Sequence, residues 1–452
     1  MDTAFAGLRT PKRLLGGVLL CLALGTMVVQ LPPVTALVVP TVVGLLLLIV
    51  LVRGLIRWPD EQARRRILVW SVAAFFAHLL FGLLSTNISH DIRVYLGSDG
   101  IGYDRIAGQI VQHWKEGLPF PFVPDGKEGF YYLLAGLYWI FGAHTASGLA
   151  MNAALAAALV PLMSDTTHRL FGPAAARYAG PLVVLLPGMF LWTSQLMKES
   201  ATLFLLAVAL SAAVRLLDRV SLLSIAVFTM SLALAFTFRA WVALMVAAGL
   251  VAGLVLGHRK LISGVGTGLS TLAVVAGVML ASGLGYQGYQ AAVSVDLKQA
   301  NVVRQDLAYS AETAYEDNAD ISSAAGAISY LPQGIANFSL GPFPWNIRSA
   351  RQLPFVPDML VWWCLLPFLW LGYRRAGARI GRRRLIVVLP ALATVLLLSL
   401  ALANYGTVVR ERLQVILLIV PLIALGLSER LAREPESNRG TAATPVPELA
   451  AR

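Results

Sequence analysis

Charged residues are scarce in this sequence. Asp, Glu, Lys and Arg make up 13% of its 452 residues, about half the ~25% share of a soluble domain. That shortage excludes a soluble enzyme, a disordered chain and a fibrous repeat. Cysteine is scarcer still: Cys21 and Cys364 both sit in apolar runs, so neither a disulfide framework nor a cysteine metal site follows. Strict apolar–polar alternation is missing, which argues against a transmembrane β-barrel. There is no fixed-period repeat and no pair of broken helices in matching halves, so the usual transporter signature is lacking.

What is present is a series of long apolar runs, with 57% hydrophobic residues overall. A spanning helix needs about 20 mostly apolar residues. The runs at 14–31, 34–54, 67–85, 146–166, 178–196, 200–216, 221–238, 240–257, 262–283, 357–373, 385–403 and 413–428 meet that need. They predict an all-α polytopic membrane protein with about twelve transmembrane helices. The first run lacks a small-residue cleavage site and reads as a retained anchor. The segment 129–142, GFYYLLAGLYWIFG, is short and aromatic, and reads as a helix lying at the membrane surface. The Pro-containing tail from Ala432 onward reads as disordered.

Lys and Arg number 36 against 24 Asp and Glu. An excess of this kind raises the question of nucleic acid, but here the basic residues cluster between apolar runs, as topology signals do. No nucleic-acid partner is expected. With the N-terminus in the cytoplasm, the clusters Arg64–Arg66 and Arg374 through Arg384 fall inside, as does the C-terminus. Two long segments, 85–145 and 284–357, then face outward and hold half of the acids. The organisation is an N-terminal pair of spans (1–66), a core (67–283) containing the first outward loop, a second outward segment (284–356) and C-terminal helices (357–430).

In the first outward loop, Tyr103, Ala107, Ile110 and Trp114 share one helical face. That face is expected to lie on the membrane, with Trp114 at headgroup level. Asp99 precedes this helix, between glycine-containing turns. Capping explains it; so does a general base facing a membrane-bound substrate. Asp104 is a second candidate base. His90 and Asp91 are close enough to bring a metal to mind, but a third ligand at fixed spacing is missing.

Beyond these residues lies an ordered series of motifs. Asp99, Tyr103 and Ala107 form Asp-x3-Tyr-x3-Ala, followed by Phe141-Gly142. Then come a span with Asn152, the run His168-Arg169-Leu170-Phe171-Gly172, Ala174 to Ala176, and a span with Pro187 and Trp192 ending in Lys198-Glu199. Over roughly residues 85 to 240 this order resembles the glycosyltransferase C superfamily, membrane enzymes that use polyprenyl-phosphate sugars. The resemblance implies a sugar donor on a polyprenyl-phosphate carrier and a glycan, lipid or protein acceptor. It also implies membrane lipid as a partner and an active face outside the cytoplasmic membrane. Such enzymes commonly carry an acidic pair at the loop carboxylate; here Asp99 is followed by Gly100.

A departing phosphate needs fixed cations. Lys198, Arg239, Arg348, Arg351, Arg410 and Arg412 all fall at or near outward helix ends. Lys198-Glu199 reads equally as a solvated hairpin turn. Arg239, in an apolar stretch, needs a partner or a polar cavity unless it snorkels. Arg410 and Arg412, two apart, cannot share one helical face, and Arg412 reads as a surface anchor. Trp345 or Tyr330 in the second outward segment is placed to stack on an acceptor sugar, or to form an interface belt. A divalent metal is compatible with this chemistry but not required, and no cofactor is assigned.

The expected activity is therefore sugar transfer with inversion: Asp99 as base, Tyr103 and Glu199 among the substrate-binding residues, and the cations on the phosphate. A polysaccharide polymerase would use the same cations without needing Asp99. A transporter or flippase would place functional charges near the bilayer midplane, where the sequence puts almost none.

Overall fold

A computed structural model describes residues 34–88, 90–120, 126–258, 266, 268, 297–310, 313–315, 319–347 and 350–440. Among them the secondary structure is helical, with no strand beyond an isolated bridge between Ala314 and Asn404. In chain order the helices are α1 (Val34–Leu55), α2 (Glu61–Asn87), α3 (His90–Lys115), α4 (Glu128–Phe141), α5 (Thr145–Phe171), α6 (Pro173–Leu185), α7 (Pro187–Ser194) and α8 (Glu199–Asp218). There follow α9 (Leu222–Phe238), α10 (Ala240–Gly257), α11 (Leu297–Ser310), α12 (Ala324–Leu340), α13 (Phe355–Ile380), α14 (Leu385–Ala401) and α15 (Tyr405–Gly440).

Seven helical stretches among the described residues are long and apolar enough to cross a membrane, eight if the bent pair α6–α7 counts as one. The longest, Phe355–Ala401, joins α13 and α14. At 1.5 Å per residue it would measure about 70 Å if straight, more than twice a bilayer core. Gly381, with φ +52°, ends α13 in a conformation open mainly to glycine. Helix α9 is apolar but shorter, at 17 residues. The expected span at 178–196 is broken at Pro187, where α6 and α7 meet at 55°, because proline removes a helix hydrogen bond and clashes with the preceding turn. The span expected at 14–31 lies outside the described residues, as does almost all of 262–283. Helix α15 runs on to Gly440, and 441–452 are outside the described residues.

Two helices organise the bundle. Helix α5 is rich in alanine and buried around most of its circumference, and it packs on α1, α2, α6 and α8. A helix apolar all round belongs inside. Helix α15 packs on α6, α8, α13 and α14. Ionic groups gather at the two ends of this body. Glu199 opens α8, and Arg215 and Asp218 close it. The two ends stand about 28 Å apart by helical rise, close to the thickness of a hydrocarbon core. At the far end Asp165 binds Arg169 at 2.9 Å and Arg215 at 2.6 Å, and Asp218 pairs with Arg383.

The segment 85–145 differs from the expected arrangement. Helix α3 begins at His90, not near Tyr103, so Asp99 lies within it and caps nothing. Tyr103, Ala107 and Ile110 are buried rather than laid on a membrane. The Tyr103 ring meets Phe130 and Tyr131 of α4. Trp114 alone of that face stays partly exposed. Glycine costs a helix about 1 kcal/mol relative to alanine, which made Gly100 read as a turn. The structure uses its missing side chain: a Cβ at Gly100 would stand 2.8 Å from the Leu196 carbonyl oxygen.

Candidate functional site

The site forms where three segments distant in sequence converge on Glu199. Arg410, in the second turn of α15, sends Nη1 to Asp99 Oδ2 at 2.8 Å and brings Nε to 3.1 Å from Glu199 Oε1. Arg239 sits at the junction of α9 and α10 and donates from Nη2 to the same Glu199 oxygen at 2.9 Å. Its Nη1 pairs with Glu411, whose other oxygen accepts from Gln414 Nε2 at 3.1 Å. The Arg410 guanidinium also lies 5.9 Å from the Trp192 ring centre, within range of cation–π attraction. Lys198 stands beside this group.

Burial is graded. The Glu199 side chain is 1% exposed and Arg239 9%, while the Asp99 side chain is 41% exposed. The carboxylate is thus at the mouth and the cations lie behind it. Glu199 Oε2 and Arg239 Nε are buried without a hydrogen-bond partner among the described residues. Buried polar atoms of that kind are rare.

The backbone behind Lys198 is irregular. Residues Gln195–Lys198 link α7 to α8 and are buried. Non-helical backbone at membrane depth must be held by protein. Asn152 Nδ2 of α5 donates to both the Gln195 and Met197 carbonyls, at 2.6 and 2.8 Å. Ser85 of α2 pairs with the Gln195 amide. Asn152→Ala strips the donor from two buried carbonyls and is expected to cost about 1–3 kcal/mol for each one left unsatisfied. Thermal unfolding measures it, and an unchanged midpoint would show that other contacts hold the loop.

Electrostatics follow from this packing. Burial opposes ionisation of Asp99, but Arg410, Lys127 and Lys198 outweigh it and hold the carboxyl below its ordinary value. Burial, then the negative charge of Glu199 and Asp99, push the Tyr103 phenol up, so it keeps its proton at neutral pH. Lys198 precedes the span that starts at Glu199. Burial, then the charge of Arg239, pull its ammonium down to about 7, against the opposing attraction of Glu199 and Glu411.

The structure brings together Asp99, Tyr103, Lys198, Glu199, Arg239 and Arg410. Lys198 and Glu199 are buried, not a solvated turn, and Arg239 is ion-paired within protein, not snorkelling. Other residues fall elsewhere. Asp104 accepts from Tyr138 and from Thr145 Oγ1 at 2.7 Å, fastening α3 to α4 and α5. Arg412 is buried, not a surface anchor: it pairs with Asp358 at 3.1 Å and donates to the Gly341 carbonyl at 2.6 Å. Trp345 is 76% exposed and stacks on Phe343. Tyr330 is buried beneath Arg304, not open to a sugar. Arg348 lies outside the described residues, as do the side chains of His90, Asp91 and Arg351.

Three contributors were not foreseen. Glu411 lies between two arginines in the sequence, and that pattern was its only signal. Trp192 was visible as a motif residue, without a role. Lys127, acting on Asp99 through space, had no signal. Among the described residues no group of three or more His, Cys, Asp and Glu is placed to hold a metal. A separate cavity of about 630 Å³ is lined by Trp114, Leu118, Pro119, Trp139 and Ile140, among others. It lies about 22 Å from Asp99 along α3 by helical rise and contains no charged side chain. No family model matches the chain, and no curated protein matches it.

Proposed function

We propose that this chain is a membrane glycosyltransferase of the glycosyltransferase C type. It moves a sugar from a polyprenyl-phosphate carrier to a glycan, lipid or protein acceptor at the outer face of the cytoplasmic membrane. The observation that carries the reading is the partly exposed Asp99 carboxylate in front of three basic residues, the buried Lys198 and Arg239 and the half-buried Arg410. The proposed topology has twelve spans and both termini in the cytoplasm, with the first outward loop and the turn before α15 on the outer side. The contact of Asp99 with Arg410 supports that placement, since it joins those two segments at one end of the bundle.

The acceptor hydroxyl approaches Asp99 from the solvent side. Its oxygen attacks the anomeric carbon opposite the phosphate. The new C–O bond forms as the carbon–phosphate oxygen bond breaks, so configuration inverts. The hydroxyl proton passes to Asp99, and the carrier phosphate leaves with the bonding electrons. Cations pre-set where that charge develops stabilise the transition state. Arg410 has a double part. Paired with Asp99 it makes the carboxylate a weak base; drawn to the donor phosphate it releases Asp99, whose basicity rises when it is needed. The phosphate charge is met by Arg and Lys, so a divalent metal is not required.

The same ion pair favours a second reading, a polysaccharide polymerase joining diphosphate-linked units, in which the cations act and Asp99 only positions Arg410. Transport fits less well, because the charges cluster at a helix end. Purified protein in proteoliposomes separates these readings. Sugar transfer from a radiolabelled polyprenyl-monophosphate donor, with release of polyprenyl phosphate, is the expected result. Chain growth from a polyprenyl-diphosphate oligosaccharide instead would establish the polymerase. Turnover of neither donor would remove both.

A further inference from the structure

Charge bookkeeping in the cluster singles out one residue. Asp99, Glu199 and Glu411 are the carboxylates, and the described ion pairs assign all three to Arg239 and Arg410. The Lys198 side chain makes no ion pair or hydrogen bond among the described residues, yet the residue is only 7% exposed. A buried ammonium without a partner is costly. Its surroundings do not remove that cost. Arg239 and Arg410 repel it, Glu199 and Glu411 attract it while spent on those arginines, Asp99 lies at the mouth, and Tyr103 is neutral.

We propose that Lys198 is the anion receptor of the site, giving up its proton readily while the site is empty and holding it once a phosphate group binds, so that binding takes up protons from solvent. The proposal rests on the reading of the cluster as a phosphate site, but not on sugar transfer. The geometry carries it: Lys198 follows a buried backbone segment that Asn152 ties to α5, and it lies buried beside Arg239 and Arg410, behind the more exposed Asp99. An incoming phosphate supplies the missing counter-charge. Its negative oxygens favour the charged amine and raise its proton affinity, as any opposite charge within about 4–6 Å does. The proton goes from water to the Lys198 nitrogen, and no bond within the ligand changes. Burial lowers the empty-site value to about 7, so uptake is largest above neutrality and fades below it. The consequence for specificity is a site that recognises phosphate by charge and rejects uncharged lipids.

The probe is farnesyl phosphate, with farnesol as the tail-only control, titrated into the full chain in lipid nanodiscs. Near pH 8 the monoester is already dianionic, since its second pKa is about 6, so a proton taken up belongs to the protein. Calorimetry in Tris and in HEPES, whose ionisation enthalpies differ, counts it. About 0.9 proton per ligand is expected, and affinity should fall about tenfold per pH unit above 7. Lys198→Arg, permanently charged, should bind with near-zero uptake and flat affinity over the same range. If the unaltered chain binds farnesyl phosphate with no proton uptake and the same flat profile, the role of Lys198 is overturned while the phosphate site stands. If farnesyl phosphate binds no better than farnesol, the phosphate site itself is overturned.

Discussion

Asp99→Asn should lower sugar transfer by about 10²–10⁴, the range for loss of a general base, while leaving the fold intact. The amide has nearly the same shape as the carboxylate and still offers an oxygen to Arg410, 2.8 Å away in the native pair. It cannot accept the acceptor's proton. Arg410 keeps its contact with Glu199, so the cation is not stranded. Two measurements are needed together: transfer rate in proteoliposomes and the unfolding midpoint. A large loss of rate with an unchanged midpoint is the expected pair. A variant with full activity would dismiss Asp99 as the base and leave the polymerase reading in its place. Asp99→Glu, which restores a carboxylate one methylene further out, should recover part of the rate.

Arg412→Met should be the most destabilising single change near the site, by about 3–5 kcal/mol, the cost of breaking a buried pair from one side. Arg412 and Asp358 are both buried, and Arg412 also serves the Gly341 carbonyl. Among the described residues, its removal leaves the Asp358 carboxylate with the Gly188 amide alone, at 2.8 Å. The double variant Arg412→Met, Asp358→Asn removes both charges and should recover much of the loss. Denaturant titration reads both. A single variant as stable as the native chain would mean that the pair contributes nothing. Arg410, two residues earlier, should behave in the opposite way, with a larger effect on phosphate binding than on stability.

This contrast shows what the sequence could and could not reveal. The helical, apolar body was legible from run length alone, because lipid-facing helices must be apolar over their whole length. The spans around α2, α5, α8 and α10 lie where apolar runs placed them. The break at Pro187 was not foreseen, because apolar composition continues across it and only the ring chemistry marks it. In the first loop, Gly100, which looked like a turn former, is a helical residue whose missing Cβ leaves room for the Leu196 carbonyl. The candidate cations Lys198, Arg239 and Arg410 could be named because charge at an apolar helix end is conspicuous. Their partners could not. Glu411 and Asp358 look like ordinary charges in sequence, and only the crossing of α15 with α6, α8 and α13 decides which arginine each one meets. Pairing across 311 residues, as between Asp99 and Arg410, leaves no local periodicity to read.

Glu199 binding two arginines through one oxygen has a consequence for biogenesis. Its partners are made in order: Arg239 soon after it, Arg410 only with α15. As the ribosome delivers the chain, Glu199 and Arg239 can neutralise each other early and enter the bilayer as a couple. Asp99, with its counter-ion still unsynthesised, waits at the aqueous surface until α15 inserts. Closure of the ionic hub therefore waits for α15, and truncation before residue 405 should yield an inserted but uncapped bundle.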